Sequence, residues 1–235
     1  MAIQYGTPAS RLERTTDLVN FNGAYTAMFW INHLNANRGN WTLFHLNSSG
    51  VNANQDLIYV DNFSQNIYLE IVLNGVFATV DISAIFYGWS HVAIRRINSS
   101  SIRIIVNGNE SSIITTDIST RPTITQQQFN KVDFNEGFPN PFCQFYLYDA
   151  ALSNSEIEDQ RNFAYPRRTA NLREWLPMDS GAGRNVDFSG NGRNYTESGT
   201  VNDADSLGLA RSNLLFRQSP PPPIYYASSL MLTAC

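Results

Sequence analysis

The residues of this 235-residue chain that could do chemistry are few, and their spacing excludes most reactions before it suggests any. His33, His45 and His91 are its three histidines, and no Gly-x-Ser-x-Gly elbow leads into a helix, so no hydrolytic triad is signalled. Glu156, Glu158 and Asp159 lie close together, but on a segment that reads as a helix. There they form a solvated face and complement the helix N-terminus. Asp187, Ser189 and Asn191 place hard oxygen donors in one turn, the ligand type calcium accepts. A full calcium shell takes about 6–8 oxygens and one turn offers half of that. An Asx-turn with Gly190 and Gly192 at positive φ is the expected reading, and no cofactor is assigned. Sugar recognition is a different chemistry, an aromatic ring beside amides or carboxylates. Asn40 with Trp41, Tyr59 near Asp61 and Asn62, and Phe138 near Asn135 and Asn140 have that composition. Each aromatic serves equally as core filling.

The elements that must position these groups are strands. Ile67, Leu69, Ile71 and Leu73 alternate with Tyr68, Glu70 and Val72; after Asn74-Gly75, Val76, Ala78 and Val80 alternate with Phe77, Thr79 and Asp81. Period-2 runs flanking a dipeptide suited to a type I′ turn predict a β-hairpin. A second hairpin is predicted from Val92–Ile97 and Ile102–Val106 across Asn98–Ser101, with Asn107-Gly108 turning the chain again. Consecutive hairpins imply antiparallel sheets. Trp30 or Trp89 is expected between the two sheets. Ser153 reads as a helix N-cap with Glu156 as its capping-box partner and Leu152 stapling onto Ile157, the short helix ending near Asn162.

Trp89-Ser-His-Val-Ala followed by Asn107-Gly108, and Phe145-Tyr-Leu-Tyr leading through Leu152-Ser153 to Glu156-Ile157, resemble the laminin-G-like, concanavalin A-like jelly-roll family, of the kind found in bacteriophage virion proteins. The resemblance implies an all-β antiparallel sandwich with one short helix. It implies no single function, because lectins, glucanases, adhesins and virion proteins share this sandwich. Glucanases of this fold carry an acidic run close to Glu-x-Asp-x-x-Glu on one strand, which sets two carboxylates about 5 Å apart. That run is absent, so no catalytic residue and no enzyme is expected. In the family's Trp-x-His position His91 is expected to pack. Trp175-Leu-Pro-Met-Asp and Asp187-Phe-Ser-Gly-Asn-Gly resemble the pair that commonly opens these domains, yet here they follow the helix. Residues 168–210 therefore either close the same two sheets, as in a permuted sandwich, or begin an added element. The first is favoured, since about 40 residues make a poor independent core.

Composition agrees with one large domain, residues 1–217, followed by a Pro-rich arm, 218–235. A net charge of −4 and a pI near 5.3 disfavour nucleic acid as a partner. No run approaches the ~18 apolar residues of a membrane span, and the N-terminus does not read as an export signal. Cys143 and Cys235 are expected as free thiols. Pro220, Pro221, Pro222 and Pro223 form a stiff polyproline II spacer that delivers Ile224, Tyr225, Tyr226, Leu230 and Leu232 away from the domain, which fits an arm reaching another subunit. The expected role is thus a non-enzymatic virion structural protein, a capsid decoration or tail-associated subunit that assembles with identical subunits or other virion proteins and adheres to surface glycans. A stand-alone extracellular carbohydrate-binding module or adhesin is the alternative, and a glycoside hydrolase the third.

Overall fold

The computed structural model describes residues 2–5, 10–18, 23–33, 41–48, 56–63, 66–73, 76–81, 88–98, 100–114, 124–129, 142–178 and 183–204. Among them are fifteen strands and one helix, and every strand pairing is antiparallel. The strands are β1 (Ala2–Tyr5), β2 (Arg11–Arg14), β3 (Tyr25–His33), β4 (Trp41–Ser48), β5 (Asp56–Phe63), β6 (Asn66–Leu73), β7 (Val76–Asp81), β8 (Gly88–Asn98), β9 (Ser101–Val106), β10 (Asn109–Ile114), β11 (Ile124–Phe129), β12 (Phe142–Tyr148), β13 (Leu172–Leu176), β14 (Thr196–Ser198) and β15 (Val201–Ala204); the helix α1 spans Asn154–Arg161. The first sheet runs β10-β9-β8-β3-β12-β1-β15, with β13 also paired to β12; the second runs β14-β2-β11-β4-β5-β6-β7.

Turn chemistry fixes the hairpins. Leu73 pairs with Val76 across the predicted Asn74-Gly75 turn, which itself lies outside the described residues. Asn98 pairs with Ser101, and the Asn98 Oδ1 accepts the Ser100 N–H at 3.0 Å. Asn107 and Gly108 take φ values of 51° and 85°, the paired positive values that suit a two-residue hairpin loop. The φ of Gly108 favours glycine, and a Cβ there would also push the flexible end of the Glu158 side chain of α1 aside.

Phe142 and Phe145 of the first sheet meet Phe44 and Phe129 of the second, with ring centroids 4.8–5.4 Å apart, and Phe29 packs on Phe142 at 5.5 Å. Each buried ring contributes roughly 1.5–3 kcal/mol of transfer free energy before ordering costs. The expectation for the tryptophans is corrected here. Phe29 and Ile31 take the inward positions of β3, so alternation sends Trp30 to the far face of the first sheet, and its register partner is His91. Trp89, two residues before His91, shares that face; both tryptophans are half-buried. That face is covered elsewhere by α1, whose Ile157 packs with Leu152 onto Met28, Ala93, Ile105, Tyr146 and Tyr148. The Ser153 side chain accepts the Glu156 N–H and the Glu156 carboxylate accepts the Ser153 N–H, the capping box read from the sequence, and Asn162 is the C-cap.

The segment after the helix supplies strands to both sheets: β13 lies on β12, β14 on β2 and β15 on β1. Residues 205–235 lie outside the described residues, and with them the arm from Pro220 to Leu232.

Candidate functional site

The second sheet has one face turned to the interior, marked by Phe44 and Phe129, and strand pleating puts alternate residues on the other. Register then assembles that other face into rows. One row runs Glu13, Gln128, His45, Leu57, Val72, Phe77 across six strands. A second runs Thr42, Tyr59, Glu70, Thr79. A third sets Tyr68 between Asp61 and Asp81. Neighbouring strands lie about 4.8 Å apart. Diagonal positions lie about 7–8 Å apart, so Glu70 stands at that distance from both Asp61 and Asp81.

At the β2–β11 end the side chains are fixed by one another. The Glu13 Oε2 accepts from the Arg11 Nε at 2.6 Å and from the Gln126 Nε2 at 3.0 Å, with the Gln128 Nε2 at 3.4 Å. Arg11 above all, opposed by partial burial, holds the Glu13 carboxyl below the usual carboxylate range. The same face thus carries a fixed array of amide, carboxylate and guanidinium groups at its β2–β11 end and two tyrosine positions on β5 and β6, a composition that matches sugar hydroxyls and the apolar face of a pyranose ring.

The frame under this face is polar as well as aromatic. Glu174 of β13 is fully buried between the sheets, paired with Arg14 of β2 and accepting from the Gln127 Nε2 at 3.1 Å and the Tyr195 hydroxyl at 2.9 Å. Burial raises the Glu174 pKa, and the Arg14 charge opposes that shift. Because Gln127 precedes Gln128 on β11, this network anchors the strand whose opposite face carries the amide cluster. Glu174 is buried, and its carboxylate ties β13 to β2, β11 and Tyr195.

The residues singled out from the sequence separate into groups. Trp41 pairs with Val60 and Tyr59 with Thr42, so the two aromatics fall on opposite faces of the second sheet. Asn40, Asn135 and Phe138 lie outside the described residues. Asp187, Ser189 and Asn191 do form one turn, with Gly190 at φ 91° and Gly192 at φ 69°. The Asp187 Oδ1 accepts the N–H groups of Trp175 and Ser189, and its Oδ2 accepts the Ser189 hydroxyl and the Arg193 N–H, all within 3.0 Å. The Asn191 amide donates to the carbonyls of Leu172 and Arg173. Four donors fill the carboxylate, so calcium would have to displace them, and the donor set does not fit a cation. Among the described residues no group of three or more His, Cys, Asp or Glu side chains is placed to hold a metal.

His91 is 1% exposed, its ring centroid 5.3 Å from that of Trp30, and neither ring nitrogen has a hydrogen-bond partner. Burial, reinforced by the Arg161 charge, pushes its pKa down to about 3 and keeps it neutral. Its backbone, not its ring, makes the hydrogen bonds: its N–H reaches the Asn107 Oδ1 and its carbonyl accepts the Asn107 N–H, both at 2.9 Å.

Sequence reasoning singled out Tyr59 and Asp61 but missed Tyr68, Glu70 and Asp81 as their neighbours on one face. No single strand carries two close acids, and the grouping exists only once β5, β6 and β7 pair. The signal was present in the polar half of the alternation, Tyr68-x-Glu70 facing Thr79-x-Asp81 across the predicted turn.

No family model matches the chain, and no curated protein matches it. Solved structures do. A proposed carbohydrate-binding protein from Bacteroides ovatus superposes with a TM-score of 0.62 at 16% identity, over 87% of this chain and 60% of that one. The heptameric SAP-like pentraxin from Limulus polyphemus gives 0.60 at 13% identity, over 86% of this chain and 93% of the pentraxin. The CBM40 of the Ruminococcus gnavus IT-sialidase, bound to α2,3-sialyllactose, gives 0.51 at 11% identity, over 68% of this chain and 96% of that module. The chain is a lectin-like jelly roll. The lectin-like sandwich read from the Trp-x-His-Val-Ala and Leu-Tyr segments is therefore the observed architecture, and at these identities the likeness is one of fold.

Proposed function

We propose that this jelly roll is a carbohydrate-binding protein that holds a glycan against the far face of its second sheet and does not cleave it. The observation that carries this reading is the register that groups Tyr59 and Tyr68 with Thr42, Thr79, Asp61, Glu70 and Asp81 on one face. Tyrosine supplies a rigid stacking surface with a hydroxyl, and the flanking oxygens take hydroxyl protons. The fold shared with carbohydrate-binding neighbours makes the reading economical. Glycan adhesion of this kind acts at a cell surface or outside the cell.

The test is a glycan array followed by calorimetric titration of the best ligand with Tyr59→Ala and Tyr68→Ala. Loss of one stacking surface should weaken binding about tenfold, near 1.4 kcal/mol, with an unchanged melting temperature. Equal affinity in both variants would refute the placement.

A hydrolase is the second reading, favoured by one observation: register places Glu70 diagonal to Asp61 and to Asp81 on one face, so that two acidic positions flank it, and glycoside hydrolysis uses a pair of carboxylates. Release of reducing sugar that disappears in Glu70→Gln would establish it. The virion role would use this same face for adhesion and residues 218–235 for assembly.

A further inference from the structure

The strands that build the far half of the second sheet are uneven in charge. β4, β5, β6 and β7 carry Asp56, Asp61, Glu70 and Asp81 and contain neither lysine nor arginine. Pleating assigns three of these acids, Asp61, Glu70 and Asp81, to the face opposite Phe44, in the two rows that also hold Tyr59 and Tyr68. Across the sheet, β2 contributes Arg11 to that face, and its guanidinium is committed to Glu13 at 2.6 Å. In the first sheet Arg95 and Arg103 pair with Glu110, Arg173 pairs with Asp149, and the Arg96 Nε donates to the Asn98 carbonyl. Among the described residues, the rows that hold Tyr59 and Tyr68 thus carry three acidic positions and no lysine or arginine, with His45 in the next row, and charges this close in register act within one Debye length, ~10 Å at 0.1 M salt.

We infer, resting on the carbohydrate reading above, that this face selects glycans without acidic groups, neutral or amino-bearing, and rejects sialylated, sulfated and uronic-acid glycans. The tyrosines provide the contact and the carboxylates provide the discrimination. Hydroxyl and ammonium groups donate hydrogen bonds to carboxylates, whereas a carboxylate or sulfate on the ligand offers only acceptors and adds like-charge repulsion. Specificity of this sort works through rejection as much as through attraction.

The full chain is screened at low salt on an array that spans neutral, amino and acidic glycans. Hits confined to neutral and amino glycans are expected, with acidic analogues of the same core at least about tenfold weaker. The Asp61→Asn, Glu70→Gln, Asp81→Asn triple variant should recover most of that tenfold for acidic analogues. Raising salt from about 20 mM to about 500 mM should narrow the gap in the unaltered protein. Should the triple variant fail to fold, Glu70→Gln alone together with the salt series gives the same reading. Acidic glycans bound as well as neutral ones would overturn the selectivity and leave carbohydrate binding standing. Acidic-glycan affinity unchanged both in the triple variant and across the salt series would overturn the charge argument. Binding to no glycan of any class would overturn both.

Discussion

His91 should make this protein acid-sensitive below pH 6.5. Its ring is buried without a partner, and its pKa falls from 6.5 to about 3 because burial and Arg161 disfavour the imidazolium. A base with a depressed folded pKa is protonated first in the unfolded chain. Stability is therefore complete above the unfolded value, falls as pH drops through 6.5, and stops falling near 3, where the folded state also takes up the proton. At pH 5 the difference amounts to about 1.5 units, or roughly 2 kcal/mol at 1.36 kcal/mol per unit. Over the whole interval it would approach about 5 kcal/mol, comparable with the lower end of the total stability of ordinary domains. The perturbation is His91→Leu, measured by urea unfolding at pH 7.5 and pH 5.0 with equal m-values. The variant loses a ring contact with Trp30 and starts lower at pH 7.5. The informative quantity is the loss between the two pH values, which should be about 2 kcal/mol smaller in the variant. Contributions from His33, His45 and the carboxylates cancel in that difference. Parallel pH profiles for the two proteins would refute the reasoning, and would mean that the ring finds a proton acceptor or water on folding.

Gly108→Ala should destabilise by about 1–2 kcal/mol in thermal melts, since φ 85° opposes a side chain; Asn107→Gly suits its positive φ but removes the Oδ1 that accepts the buried His91 N–H, and should cost about 1–3 kcal/mol. Arg14→Met leaves the Glu174 carboxylate buried beside only Gln127, Tyr195 and the more distant Arg193, and should cost roughly 3–5 kcal/mol by chemical denaturation. The Arg14→Met, Glu174→Leu double variant should recover much of that, because the penalty lies in the uncompensated charge. Chelation with EGTA should leave the melting temperature unchanged, whereas Asp187→Ala, which removes the acceptor of four hydrogen bonds, should lower stability by several kcal/mol.

What was legible in the sequence was local. The β6–β7 and β8–β9 hairpins follow from period-2 alternation and turn residues within a few positions of one another, and the capping box of α1 follows from Ser153 and Glu156. The Trp30 expectation failed because β3 is buried on both faces, so alternation gives no inside or outside and bulk was the wrong guide. The phenylalanines take the space between the sheets, and α1 covers part of the other side. Trp41 and Tyr59 were grouped by composition. Their separation depends on the pairing of Trp41 with Val60 and on the irregularity between Thr42 and Phe44, a parity that no local pattern announces. The Asp187 turn was legible as geometry, through Gly190 and Gly192. That its carboxylate is filled depends on Trp175, which the chain brings back from twelve residues earlier.

The proposed binding face and the buried network beneath it share a cause. Strand β11 carries three consecutive glutamines, and pleating sends Gln127 inward to Glu174 while Gln126 and Gln128 go outward to Glu13. An apolar residue at 127 would fill the interior as well, but an amide there ties the strand to β13 of the opposite sheet and to Tyr195. The outward amides are therefore held from behind, and a ligand meeting them has less side-chain freedom to freeze than on a loop. If that is why the network exists, Gln127→Leu should weaken glycan binding as well as cost about 1–3 kcal/mol of stability, because it removes a hydrogen bond from the buried Glu174 carboxylate and one from Arg14 and with them the anchoring of the strand. A variant that instead loses stability and keeps affinity would assign Gln127 to the fold alone.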